Sequence, residues 1–401
     1  MQRTPLDILT RLVTASDRLV GGIMSGTSVN GIDVALVRIR GGGLHTKTEL
    51  LHFREMLFAE ELQTRIFANS EVSSSNVNDI CLLHAALSHA YAAAVEETCR
   101  AAGIGVEELD LIGMHGQTLR HLPEPMEIAG SSIRSSLQIG SGPMLATLLD
   151  VPVVYDFRSS DLVLGGQGAP LVPHVDYLLF RSEKENRVLL NIGGIANVTL
   201  LPRGCDAEEV IAFDTGPGNM IIDGLMRKFY GREFDEDGAV AGSGTVNVDL
   251  LSWMMQHPFY RQPPPKSTGR ELFGEDYLSD FLHVARELSV RDTNDLVATA
   301  AEATVRSISW QIHAVADAWD SFHLYVSGGG ARNRFLVDGL RHACSNARVQ
   351  DASVLGMHPD VKEAVAFAVL ANEWLMGNTA SIPAATGAAR PAVLGAFALP
   401  G

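Results

Sequence analysis

The 401-residue chain is predicted to be an α/β protein, on three observations. Strand-like apolar runs alternate with helix-like runs along its length, which is the pattern of α/β folds. Four strand-like runs end in glycine-rich polar turns, "GIMSGTS", "NIGGIAN", "FDTGPGN" and "SGGGARN". The length calls for two or three domains of ordinary size, each with its own core.

The strand-like runs, in order, are "LVGGIM", "DVALVRI", "LDLIGMHG", "VPVVYDF", "RVLLNIGGIANVTLL", "EVIAFDTG" and "FHLYVSGGG". Helices are expected at residues 78–102, 294–319 and 361–376. Ile8, Leu9, Leu12 and Val13 have the spacing of a short amphipathic helix at the start. Prolines 263–265 and the segment "GGQGAPLVPHVD" break the pattern, because proline cannot continue a helix. The charged run "RSEKENR" at 181–187 is a natural crossing between domains. The expected organisation is an N-terminal extension at 1–19, a first domain from 20–183 plus about 378–401, and a second from 184–377.

Composition excludes several classes. The net charge of -16 makes phosphate neutralisation along a nucleic acid a poor fit. The four cysteines lie far apart without a CxxC pair, against a disulfide framework or a structural zinc site. The N-terminus lacks the apolar core of a signal peptide, and no run approaches the ~18 apolar residues of a membrane span. The expectation is a cytoplasmic protein that acts without membrane or nucleic acid.

The four glycine-rich turns point to phosphate. Glycine lets backbone N–H groups approach an anion, and Ser and Thr add donors. In open α/β sheets such strand-end loops are where ligands bind. No single-loop nucleotide signature is present: GxxxxGK[ST] is absent, "KSTG" at 266–269 lacks the glycine before its lysine, and the HRD and DFG pieces of protein kinases are missing. A bound nucleotide must therefore be shared between loops. Asp214, at a strand end in "FDTGPGN", suits Mg²⁺ held through water; the alternative is a turn-capping aspartate.

Three further groups are chemical candidates. "VVYDFRSSDLVLGG" holds Asp156, Arg158 and Asp161, with Asp161 a possible general base and a structural Asp156–Arg158 or Arg158–Asp161 pair the plainer reading. "GMHGQTLRHLP" places His115, Gln117, Thr118 and His121 after a strand; its spacing fits no metal helix, and a hydroxyl-binding network or a buried histidine suits it better. Glu363 opens an apolar helix, where an acid either complements the helix dipole or points at a ligand.

Taken in order, "MSGTSVNGID", "GMHGQTLRHLP", "LQIGSGP", "YDFRSSDLVLGGQGAPLVP", "LNIGGIANVT", "FDTGPGN", "PPPKSTGRE", "SGGGARN", "KEAVAFAVLA" and "TGAARPAVLG" resemble the anhydro-N-acetylmuramic acid kinases from about residue 20 to the C-terminus. The resemblance implies the two-domain actin-like ATPase fold, with ATP in an interdomain cleft, Mg²⁺ as cofactor, and cytosolic homodimers. It implies hydrolysis of a 1,6-anhydro bridge with phosphorylation of O6, giving N-acetylmuramic acid 6-phosphate.

Carried over by position, the resemblance assigns ATP binding to Ser25, Gly26, Thr27, Ser28, Val29, Asn30, Gly31 and Ile32. A second phosphate loop falls on Asp214, Thr215, Gly216, Gly218 and Asn219, and the adenosine side on Gly328, Gly329 and Gly330. Asp161 matches the base for the attacking water, while His115, Gln117 and Glu363 fall on the sugar side. Two positions depart from the pattern: Asn30 and Ser141 stand where the family usually carries an acid. The alternatives are a levoglucosan-type or other 1,6-anhydrosugar kinase, and a nucleotide- or sugar-binding sensor with weakened turnover.

Overall fold

The computed structural model describes residues 4–401. The chain divides into two compact units, residues 4–179 with 360–401, and residues 180–359.

The first unit opens with a helix over Pro5–Thr14, capped by Thr4 and Asp7, whose Leu12 is buried. It is followed by β1 (Asp17–Ser25), β2 (Gly31–Arg40), β3 (Lys47–Leu57), β4 (Leu111–Ile128), β5 (Ser131–Ile139) and β6 (Val153–Tyr155). β1, β2 and β3 form an antiparallel meander. β4 then pairs parallel with β1, and β6 parallel with β4. The sheet order is thus β3-β2-β1-β4-β6, with β5 folded back on the far half of β4.

The second unit repeats this plan with β7 (Arg187–Ile192), β8 (Ile195–Leu201), β9 (Ile211–Pro217), β10 (Phe322–Ser327) and β11 (Ala347–Asp351). β7, β8 and β9 form the antiparallel meander, and β10 and β11 add in parallel, in the order β9-β8-β7-β10-β11. The same strand order and the same strand senses occur twice in one chain. That duplication is the topology of the actin-like ATPases. The last strand, β12 (Ala396–Ala398), returns to pair with β6.

Each sheet is buried by a long helix that the sequence predicts. Residues Thr293–Ala316 lay Val297, Ala301, Val305 and Ile308 into the core against β8 and β9. Val77–Ala102 packs Leu83, Leu87, Tyr91 and Val95 into the first unit's core. Lys362–Leu375 lies on β1, β2 and β4. Here β1 and β4 carry glycine so that backbone can meet backbone: a Cβ on Gly22 would stand 1.9 Å from the Ala364 carbonyl oxygen, and one on Gly113 2.0 Å from that of Phe367. No helix among the described residues is long and apolar enough to cross a membrane.

The structure differs from expectation in several places. Residues 4–19 are no separate extension: Asp17 starts β1, and the buried Arg18 guanidinium donates to the carbonyls of Leu12, Val13 and Ala15 and to Asn372 Oδ1. The chain rejoins the first unit at Asp360, not near 378, because the helix over Lys362–Leu375 seals the first sheet. β4 continues past Gly116 to Ile128 as one arm of a largely exposed hairpin with β5. The helix over Glu60–Ser70 and strands β3, β5 and β11 carry too few buried residues to be read from apolar pattern alone.

Candidate active site

In the first unit, β1, β4 and β6 run parallel, and the residues at their carboxyl ends are the ones the sequence singled out. Ser25 closes β1, opposite Gln117 on β4. The turn that follows is fixed by a hydrogen bond from the Val29 N–H to the Gly26 carbonyl, 3.1 Å. Val29 has φ 55°, an outlying conformation for a β-branched residue that costs about 1–3 kcal/mol. Core burial of its side chain and a 2.7 Å hydrogen bond from Gln63 Nε2 to its carbonyl hold it there.

The eight residues of this loop divide by role. Thr27, Ser28 and Asn30 are exposed and present their polar groups to solvent. Ser25 is buried, its hydroxyl 2.7 Å from Tyr91 Oη and 3.3 Å from the Gly116 carbonyl it donates to. Val29 and Ile32 are core residues, able to offer a ligand only backbone. Gly26 and Gly31 are partly open, and a Cβ on Gly31 would strike the Met56 carbonyl oxygen at 2.4 Å. Gln117 is wholly buried, and its Nε2 donates to the Gly26 carbonyl at 3.1 Å, tying β4 to the loop.

His115 is also buried. Its Nε2 lies 2.8 Å from Arg158 Nη2. A guanidinium only donates, so Nε2 is the acceptor and the proton sits on Nδ1. Burial first, then the Arg158 charge, push this imidazole down to about 3. It is neutral at working pH and serves to orient Arg158. The other Arg158 nitrogen, Nη1, donates to the Gly168 carbonyl at 2.6 Å. The sequence offers Asp156 or Asp161 as a partner for Arg158. Instead Asp156 Oδ1 accepts from the Ser159 hydroxyl and N–H, at 2.7 and 3.3 Å.

Asp161 lies in the short helix Ser159–Val163 and has no exposed surface. Its Oδ2 accepts from the Gly168 N–H at 2.8 Å and its Oδ1 from the Thr386 hydroxyl at 2.7 Å. Gly166 leaves the room the carboxylate occupies, since a Cβ there would stand 2.1 Å from Oδ2. Gly166 and Gly168 of "GGQGAP" therefore line the Asp161 carboxylate. Glu363 keeps a solvent-reachable side chain, yet desolvation raises its carboxyl, against the pull of Lys362 and Arg158. Asp33 is pushed up to about 6, by desolvation and then by Glu55, Glu363 and Asp360.

In the second unit the three remaining glycine-rich turns are stitched to one another. The N–H groups of Gly218 and Asn219 donate to the carbonyls of Gly194 and Gly193, both at 2.8 Å, and Asn219 Nδ2 donates to that of Ile192 at 3.1 Å. Gly328 has φ 78°, and a Cβ there would stand 2.5 Å from Asn191 Oδ1 and 2.7 Å from the Ile192 carbonyl oxygen. Gly330 packs on Ile192, and Gly329 lies beside Asn219. Thr215 is buried, its hydroxyl on the Ala196 carbonyl at 3.1 Å, and Gly216 has φ 125° against the Tyr260 ring. Thr215 and Gly216 thus shape the loop, while Asp214 and Asn219 stay partly open.

Asp214 is gripped by the "KSTG" segment, which lacks the glycine of a single-loop nucleotide signature. Its N–H donates to the Lys266 carbonyl at 3.1 Å, and its Oδ2 accepts from the Thr268 N–H at 2.8 Å. Burial pushes its carboxyl up to about 6, against the Thr268 bond. The Lys266 ammonium is buried, donating to the carbonyls of Phe259 and Tyr260 at 3.0 and 3.3 Å over the Phe259 ring. Burial lowers it to about 8, and the Asp214 charge opposes that. Among the described residues no three His, Cys, Asp or Glu gather as a metal cage. A lone carboxylate with one oxygen fixed and Oδ1 free of donors among the described residues fits Mg²⁺, which keeps most of its waters.

Each unit gathers glycine turns at its strand ends beside an anchored carboxylate, Asp161 in the first and Asp214 in the second, on the duplicated actin-like plan. The model of the anhydro-N-acetylmuramic acid kinase family matches residues 18–400. The anhydro-N-acetylmuramic acid kinase of Caldanaerobacter subterraneus subsp. tengcongensis is 42% identical, over 98% of this chain and all of that protein. That of Salinibacter ruber is 43% identical over 99% of this chain, again across the whole relative. A glucokinase of the ROK family from Streptomyces griseus, solved with glucose and AMPPNP, has a TM-score of 0.40 at 11% identity, covering 88% of this chain and 99% of that one. The chain belongs to the anhydro-N-acetylmuramic acid kinase family, and it is a kinase.

Proposed function

We propose that the protein is an ATP- and Mg²⁺-dependent kinase of 1,6-anhydro-N-acetylmuramic acid. It opens the anhydro bridge with water and yields N-acetylmuramic acid 6-phosphate. The observation that carries this reading is Asp161, a wholly buried carboxylate oriented by two fixed donors, Gly168 N–H and the Thr386 hydroxyl.

Hydrolysing an acetal usually takes two carboxylates, one to activate water and one to protonate the leaving oxygen. Here one suffices. Asp161 takes a proton from the water that attacks the anomeric carbon. The bond from that carbon to O6 breaks, and O6 bonds to the terminal phosphorus of ATP in place of a proton, releasing ADP. Asp214 and Asn219 would hold the metal–phosphate end, and Thr27, Ser28 and Asn30 would add donors. Magnesium held there would supply neutralisation of the phosphate charge. His115 stays neutral and keeps Arg158 in place beside the sugar-side carboxylates. Glu363 contributes a contact to the sugar. Cytoplasmic location and a homodimer belong to the same reading.

The test is ATP consumption with Mg²⁺, offering 1,6-anhydro-N-acetylmuramic acid and levoglucosan separately. Turnover is expected on the muramyl sugar. Asp161→Asn should abolish it, a loss of at least about 10²-fold for a missing general base, with nucleotide affinity unchanged. Near-wild-type turnover by that variant would remove the base assignment, and preference for levoglucosan would replace the substrate.

A further inference from the structure

We infer that Thr268 is a ligand-binding residue, its hydroxyl acting with Asp214 Oδ1 on one oxygen of the bound metal–nucleotide. This rests on the kinase reading above and extends it to a segment, "KSTG", that no nucleotide signature covers.

Four observations converge. Asp214 and the 266–268 segment grip each other reciprocally, through Asp214 N–H to the Lys266 carbonyl and Thr268 N–H to Asp214 Oδ2. Lys266 is locked by two carbonyls and an aromatic face, and it stands 5.8 Å from the ring centre of Phe213, the residue before Asp214. The segment therefore cannot shift without moving the strand end. Third, Thr268 Oγ1 is shut off from solvent and has no hydrogen-bond partner among the described residues. Fourth, Asp214 Oδ1 accepts no hydrogen bond among them either.

A buried hydroxyl left unpaired is costly, and native structures seldom keep one without a reason. Here the unpaired hydroxyl belongs to the residue whose own N–H fixes Asp214. Serving structure alone, valine would do as well at this position and would avoid the orphan. A hydroxyl donates and accepts, so Thr268 can pair either with a terminal phosphate oxygen or with a water held by magnesium. The shared chemistry is one polar oxygen carried by the residue whose N–H fixes Asp214. Lys266 acts through Asp214 and is a positioning residue.

The experiment measures binding of AMPPNP by calorimetry, with Mg²⁺ and with EDTA, and of Mg-ADP. It compares the wild type with Thr268→Val, Thr268→Ala and Thr268→Ser. Valine and alanine should weaken Mg-AMPPNP about tenfold or more, the loss of one hydrogen bond to a charged group, while serine stays within about threefold. The thermal midpoint of ligand-free Thr268→Val should equal or exceed that of the wild type, because the orphan is gone. A loss confined to AMPPNP and persisting in EDTA identifies the phosphate oxygen. A loss that vanishes in EDTA identifies the metal-held water. Unchanged affinity in both valine and alanine variants overturns the inference, as does a serine variant as weak as alanine. Wild-type protein that binds no Mg-AMPPNP would overturn the kinase reading instead.

Discussion

Adding one methyl group to Gly22 should unseat the helix over Lys362–Leu375, whereas the same change one residue earlier should be tolerated. A Cβ on Gly22 would lie 1.9 Å from the Ala364 carbonyl oxygen and 2.9 Å from the Ala368 nitrogen, both backbone atoms. A Cβ on Gly21 meets nothing closer than Ile112 Cγ1 at 3.4 Å, an ordinary contact. To restore about 3.2 Å, the helix must retreat by about 1.3 Å, since no flexible side chain is there to swing aside. Overpacking of this kind costs about 1–3 kcal/mol, and a backbone collision belongs at the upper end. For a body of this size that is a fall of about 6–12 °C in Tm for Gly22→Ala. Gly21→Ala should change Tm by less than about 2 °C, the response to a surface-scale effect of ~0.5 kcal/mol. Glu363 immediately precedes Ala364, so the same retreat should raise KM for the sugar in Gly22→Ala. The assay is thermal unfolding of both variants followed by sugar saturation kinetics. Equal midpoints, or a destabilised Gly22→Ala with unchanged KM, would refute the link between the glycine face, the helix and the site.

Two further outcomes follow from charge. Asp214 is raised from 3.8 to about 6. Between those values the folded chain keeps a proton the unfolded chain has released, so this group adds stability as pH falls from about 7 toward 4 and takes it away as pH rises. Ligand-free Asp214→Asn should thus be more stable than wild type at pH 7.5, by about 1–3 kcal/mol, while losing Mg²⁺-dependent nucleotide binding; urea unfolding at pH 5 and 7.5 checks both the sign and the loss of the slope. His115, held down to about 3, should not contribute to the acid limb of kcat/KM between pH 5 and 8. His115→Phe should leave that limb in place while costing about 1–3 kcal/mol for the acceptor Arg158 loses, and a shifted limb would show that the imidazole titrates.

How much was legible in the sequence differs between elements and contacts. The helices Val77–Ala102, Thr293–Ala316 and Lys362–Leu375 and the strands under them were readable because each buries a regular apolar face. Strands β3 and β11, at the sheet edges, alternate too weakly to be seen. The glycine turns were readable as strand-end loops, but which of their side chains are buried and which are open was not. Ser25, inside "MSGTS", faces Tyr91, a partner 66 residues away. Arg158 pairs with His115, 43 residues back, rather than with its neighbouring aspartate, since a pairing across strands leaves no local pattern. Lys266 and Thr268 match no lysine motif that carries its own glycine. Their significance lies in Asp214, more than 50 residues earlier, and only the fold brings them together. The signal that was available is that three prolines deliver "KSTG" as a stiff strap with no helix or strand of its own.

The first unit is assembled from the two ends of the chain, with residues 180–359 inserted between them. During synthesis, the strands bearing Gly22 and Gly113 leave the ribosome long before the helix that covers them. At about 5–20 residues per second, the intervening unit alone delays that helix by about 10–40 s. The inserted unit is continuous in sequence and can close its own core in that interval. The domain begun first is therefore the one completed last, and its bare glycine face is the surface a nascent chain must keep from aggregating until its last turn of helix arrives.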